Sequence, residues 1–261
     1  MKTLLEIDQP LHPALSAPTR TFAGGGAPAT VVSLASKLRV AAKQSAQLSA
    51  VGDFFEVYQH VDGRVSIVVA DVCGNGAVAA QIAAEIRPAL HHALVRGESP
   101  GRVLEALNEG LLGVGVPERF VTAIALQVDP RLCTGRLACA GHLGPFVRRT
   151  DGFAEAPDAT GVPLGLLRDE TYGERPISLS PGDTLVLVTD GITDPLSTED
   201  DPLGAGELTR RLEAFTSLGI DGACDAASLC HTLLDDSSPR RDDATVLVLQ
   251  LPGRELIPAA A

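Results

Sequence analysis

The chain has 261 residues, a formal net charge of −12, 45% apolar and 3% aromatic residues, and no tryptophan. That length allows one large domain, or a domain of roughly 200 residues with an extension, around a substantial core of Ala, Leu, Val and Ile. The negative balance argues against a nucleic-acid partner, whose backbone needs a positive surface, and the scarcity of rings removes stacking platforms for single strands.

Residues 1–30 are rich in Pro, Ala and Gly, with three glycines at 24–26, and read as a flexible lead-in with little defined structure. The main domain is expected over 31–252, followed by a frayed tail at 253–261. The pattern over 31–38 is ambiguous between helix and strand, and a strand is expected over 37–43. Strands at 54–60 and 64–70 flank Val61, Asp62 and Gly63, where the Asp-Gly pair marks a hairpin. An Ala-rich helix is expected over 77–95, with Pro88 kinking or dividing it, and a second helix over 102–112.

Strands then read at 120–128, 136–139 and 145–149, with a loop over 155–166, a short strand within 172–179 and a strong apolar strand over 184–189. Residues 195–206 read as surface loop, 207–215 and 223–234 as helices, 237–241 as a polar turn, and 245–251 as the last strand. Hairpins and returning strands dominate, without regular βαβ alternation. The expected class is therefore α+β, a four-layer α-β-β-α sandwich of two largely antiparallel sheets flanked by helices.

The five cysteines, at 73, 133, 139, 224 and 230, show no CxxC spacing and leave one unpaired in any full pairing, so reduced thiols are expected. The N-terminus carries Glu6 and Asp8 rather than a signal peptide's long apolar core, and no stretch reaches membrane-spanning length. A cytoplasmic protein with no membrane association is expected.

Four carboxylates stand where apolar strands meet turns: Asp53, Asp71, Asp190 and Asp242, with Asp243 beside the last. A tight hairpin would set Asp53 and Asp71 across the ladder from each other. If all four met at one end of a sandwich, their charges would raise one another's pKa values unless cations lay between them. Oxygen-only ligation suits Mg²⁺ or Mn²⁺, and two such ions can activate water and clamp a phosphate for in-line attack. Each acid also has an ordinary alternative, since Asp beside Gly is common in turns.

The motifs VGDFFEV at 51–57, VVADVCGNG at 68–76, CAGHLGPFV at 139–147, GVPLGL at 161–166, LVLVTDGITD at 185–194 and RDDATVLVL at 241–249 bear on the choice between these readings. In order and spacing they resemble the PPM/PP2C-type metal-dependent serine/threonine phosphatases, in the bacterial SpoIIE/RsbU-like branch, over about residues 35–251. The resemblance implies two Mn²⁺ or Mg²⁺ ions at one edge of the sandwich. It further implies that Asp71 bridges them, that the Val72 carbonyl is a main-chain ligand, that Asp190 and Asp242 complete the first site, and that Asp53 serves the second through water. Asp243 then neighbours a ligand without being one. The implied reaction is hydrolysis of phosphoserine or phosphothreonine, and the implied partner a phosphoprotein such as a STAS-type anti-sigma-factor antagonist.

Several positions depart from the family pattern. Val51 replaces a glycine, Glu56 an aspartate, Cys73 a serine and Asn75 a histidine, which motivates the alternative of a weakly active or inactive phosphatase-like binding module. A metal-dependent nuclease is a further alternative, disfavoured by the acidic charge. His142, in the AGH turn, is the best-placed histidine by sequence, but it carries no catalytic assignment.

Overall fold

A computed structural model describes residues 21–23, 30–33, 38–45, 51–115, 118–156, 160–216, 225–235 and 242–251. In chain order the strands are β1 (Thr21–Ala23), β2 (Thr30–Ser33), β3 (Arg39–Ser45), β4 (Phe54–Gln59), β5 (Val65–Val72), β6 (Val121–Asp129), β7 (Thr134–Ala140), β8 (Phe146–Arg148), β9 (Ala154–Glu155), β10 (Arg175–Ser178), β11 (Thr184–Val188) and β12 (Ala244–Gln250). The helices are α1 (Gly76–Val95), α2 (Pro100–Val114), α3 (Asp190–Thr193), α4 (Ala205–Ala214) and α5 (Ala226–Asp235). One six-stranded sheet runs β1-β4-β5-β6-β7-β10 and the other β2-β3-β12-β11-β8-β9, with every strand pairing antiparallel.

Strand alternation builds the layers, because successive side chains point to opposite faces. On β5, Val65, Ile67 and Val69 enter the core between the sheets, while Val68, Ala70 and Val72 pack under α1 and α2. On β11 and β12 the leucines 185, 187, 247 and 249 face inward, and the valines 186, 188, 246 and 248 face α4 and α5. Small residues on the helix side of the first sheet, among them Ala123, Ala125, Ala138 and Ala140, let the helices pack close. The result is the expected α-β-β-α sandwich.

Most boundaries fall within two or three residues of expectation; the strand expected at 37–43 is Arg39–Ser45. Two differences have physical causes. Residues 21–23, inside the stretch read as lead-in, form an edge strand whose backbone pairs with Tyr58, Val57 and Glu56; edge pairing rests on main-chain groups and leaves little side-chain pattern. Helix α1 runs unbroken through Pro88, which lies on its exposed face, where water can satisfy the carbonyl that loses its amide partner. The turn expected at 237–241, the tail at 253–261 and Cys224 lie outside the described residues.

Candidate metal centre

The β4–β5 hairpin pairs Phe54 with Ala70, so Asp53 and Asp71 stand opposite each other at its open end, as the turn chemistry predicts. By alternation Asp71 shares the inter-sheet face of Val69 and Ile67. The second sheet supplies the other acids. Strands β11 and β12 pair Val188 with Val246, and past that pair the Thr189 amide donates to the Thr245 carbonyl at 3.1 Å. Asp190 and Asp242 therefore leave the sheet at the same end.

Two hydroxyls join the sheets. Thr189 Oγ1 and Thr245 Oγ1 each donate to Asp53 Oδ2 at 2.7 Å, and Thr189 Oγ1 also accepts the Thr245 amide at 2.9 Å. Asp243 makes a second tie, its Oδ2 accepting the Gly52 amide at 2.8 Å. Asp53 and Asp243 are both 3% exposed, so these bonds are shielded from water. Gly191 lets α3 settle against this seam, because any Cβ there would overlap the Asp243 carbonyl.

The electrostatics follow from crowding. Burial, then the charges of Asp53, Asp190 and Asp242, push the Asp71 carboxyl up to about 9, and a hydrogen bond with Asp53 holds its proton. Burial raises Asp53 to about 7 against the opposing pull of the Thr189 and Thr245 hydroxyls. Asp190 rises to about 6 through burial and the charges of Asp194 and Asp242. Burial also raises Asp242, whose Oδ1 accepts the Asp243 amide at 2.8 Å.

All four acids expected at the site are thus brought to one edge. Val72 ends β5 there, and Gly52, before Asp53, lies so close to α1 that a Cβ would stand 2.9 Å from the Ala79 side chain. Asp194 joins the group although the motif reading left it aside; its signal was the four-residue spacing from Asp190 across one helical turn. The two threonines were likewise legible only as apolar-strand neighbours.

The donor set is entirely oxygen, and among the described residues Asp190 Oδ1 is buried without a hydrogen-bond partner. A divalent cation would satisfy that oxygen and relieve the repulsion that raises Asp71, so the residues fit Mg²⁺ or Mn²⁺. Among the described residues no three or more carboxylate, imidazole or thiol groups stand close enough together to hold a metal ion as they are. The acids are near enough to shift one another's protonation, yet the arrangement is open.

The departures fall in different places. Glu56 lies on the helix side of β4 with Phe54 and Tyr58, and its carboxylate meets His91 Nδ1 of α1 at 2.7 Å, away from Asp71. Asn75 is the exposed N-cap residue of α1. His142 is buried, its Nδ1 lying 2.9 Å from the hydroxyl of Thr122, which is the register partner of Asp71. Burial pushes the imidazole down to about 4, so it is neutral at physiological pH.

Paired antiparallel sheets between helical layers, with acids converging at one sheet edge, define the PP2C phosphatase fold. A solved structure of the RsbU and RsbW domains of Rv1364c from Mycobacterium tuberculosis superposes with a TM-score of 0.69 at 25% identity, covering 83% of this chain and 60% of that one. The chain belongs to the stage II sporulation protein E (SpoIIE) family, whose model matches residues 61–252. Phosphoserine phosphatase RsbP of Bacillus subtilis is 28% identical over 155 residues, 58% of this chain and 38% of RsbP. RsbX, solved in complex with magnesium, shares the fold with a TM-score of 0.64 at 19% identity, covering 85% of this chain and 99% of that one. The chain spans less than half the length of the curated relatives it matches.

Proposed function

We propose that this chain is a metal-dependent phosphoprotein phosphatase that hydrolyses phosphoserine or phosphothreonine. The observation that carries the reading is the double acceptance at Asp53 Oδ2, which ties the hairpin bearing Asp71 to the strand ends bearing Asp190 and Asp242. Asp71, Asp190, Asp242 and the Val72 carbonyl would hold the ions, with Asp53 alongside. Bound there, two Mn²⁺ or Mg²⁺ ions would lower the pKa of water and polarise the phosphoryl oxygens.

The chain's own contribution is placement. Thr189 and Thr245 fix Asp53, the hairpin register fixes Asp71 opposite it, and the neutral His142 holds Thr122 at the next strand. Such preorganisation removes reorganisation from the reaction itself.

The reading extends to a phosphorylated regulator in a partner-switching circuit, a STAS-type anti-sigma-factor antagonist being the favoured substrate. It also places the reaction in the cytoplasm, where thiols such as Cys139 and Cys230 stay reduced. The test is Mn²⁺-supported hydrolysis of a phosphoserine peptide and of para-nitrophenyl phosphate, with Asp71→Asn as control. Turnover no faster than that control would sink the enzyme reading. The open arrangement of acids would then favour a phosphatase-like binding module, recognised by partner binding that is indifferent to metal and to Asp190→Asn.

A further inference from the structure

We propose that Arg119 is the phosphoryl-binding residue of this site, an inference that rests on the phosphatase reading above. The starting point is a charge imbalance. Among the described residues, the charges that raise Asp53, Asp71, Asp190 and Asp242 are those of carboxylates, namely one another together with Asp194 and Asp243. A phosphoserine dianion entering this field needs a cation supplied by the protein as well as any ion held by the acids.

Arg119 is in place to supply one. It precedes Phe120, whose carbonyl accepts the Cys73 amide at 3.0 Å and whose own amide donates to Cys73 Sγ at 3.3 Å. This clamp brings residue 119 alongside the turn that leaves Asp71 for α1. There Arg119 Nη1 donates to the Cys73 carbonyl at 2.9 Å, two residues beyond Asp71.

The turn is shaped around the guanidinium. Gly74 has φ +90°, and a Cβ built on it would collide with Arg119 Nη1. The positive φ requires glycine at 74, and its bare Cα leaves the space that the guanidinium occupies.

The guanidinium is also uncommitted. Among the described residues Arg64 pairs with Asp62, Arg149 with Asp183 and Arg211 with Glu207, whereas Arg119 bonds only the Cys73 carbonyl. A guanidinium carries five N–H donors in a planar fork that matches two phosphate oxygens, so one bond to Cys73 orients the group and leaves donors for the substrate. A half-buried arginine oriented on the turn that leaves Asp71 suits a doubly charged tetrahedral anion better than a neutral alcohol product. Arg119 would thus favour binding of the ester and release of the dephosphorylated serine.

The experiment compares wild type with Arg119→Ala, Arg119→Lys and Arg119→Gln in Mn²⁺. Steady-state hydrolysis of a phosphoserine peptide is measured, together with direct calorimetric binding of inorganic phosphate, which needs no turnover. The expected result for Arg119→Ala is a rise of about 10-fold or more in both KM and the phosphate Kd, the scale of a lost charge-assisted hydrogen bond, with kcat changed far less. Lysine should restore part of the affinity, and the neutral amide of glutamine should restore none.

Unchanged KM and phosphate Kd in a variant that melts like wild type would overturn the assignment while leaving the phosphatase reading intact. So would equal rescue by glutamine and lysine, which would mark Arg119 as a structural partner of Cys73. If wild type binds phosphate through Arg119 without hydrolysing the peptide, the subsite stands and the enzyme reading falls. If wild type neither hydrolyses nor binds phosphate, both fall.

Discussion

Four neighbouring aspartates in this chain do two different jobs. Asp53 and Asp243 are sewn into the fold by the hydroxyls of Thr189 and Thr245 and by the Gly52 amide. Asp71 is held protonated beside Asp53, and Asp190 Oδ1 has no hydrogen-bond partner among the described residues. A carboxylate given neutral donors can be buried and stabilise the chain, while one given only other acids is a cost the fold carries for another purpose. The second kind is where an arriving cation has most to gain.

The largest expected effect sharpens this contrast at Asp71. In Mn²⁺, Asp71→Asn should lower para-nitrophenyl phosphate turnover by more than about 100-fold, beyond the cost typical of a lost outer-shell partner. In chelator, the same substitution should raise the melting temperature, because it removes a buried carboxyl that folding must protonate. Loss of activity with a lower metal-free melting temperature would place Asp71 among the structural acids.

Asp53→Ala should act with the opposite sign. It strips the acceptor from two buried hydroxyls and should cost about 2–4 kcal/mol in urea unfolding, with Asp243→Ala costing about 1–2 kcal/mol. If Asp190→Ala destabilised the metal-free chain as much as Asp53→Ala, the division between the two kinds of acid would break.

The pH dependence joins the two kinds of acid, because burial raises both. The folded carboxyls of Asp71 and Asp53 rise to about 9 and about 7, so in chelator the folded state holds protons that the unfolded chain has released. Their contribution is complete below the unfolded carboxylate range and is lost as pH rises through those values. The metal-free melting temperature should fall between pH 6 and pH 9, and Asp71→Asn should flatten the upper part of that slope. His142 runs the other way, its pKa lowered to about 4, so its contribution is present above the unfolded histidine range and lost as pH falls toward 4. A His142→Asn variant should soften that acid limb.

The smallest effect is expected on the helix side. Glu56→Gln keeps a hydrogen-bonding partner for the half-exposed His91 and should change stability by less than about 1 kcal/mol. Its kcat should match wild type. A large loss of activity would mean that the helix layer reports directly to the acids.

Much of this was legible from residues close in the chain. The Asp-Gly turn at 62–63 and the alternation of β4 and β5 set the register that puts Asp53 opposite Asp71. The apolar run entering Asp190 and the one that follows Asp242 and Asp243 marked these as acids at strand ends. Glu56 was misleading, because a motif shows that a residue has changed without showing which face of the strand it occupies.

Taken alone, the sequence determined the layers, the hairpin and the identity of the acids, since strand period and turn chemistry act over a few residues. Only the tertiary structure decided which acids are satisfied, that Asp194 joins them, and that Arg119 lies over Gly74. The hydroxyl bonds to Asp53 span 136 and 192 positions. No local pattern encodes such pairs, because they form only when closure of the shared apolar core brings the two sheet ends together.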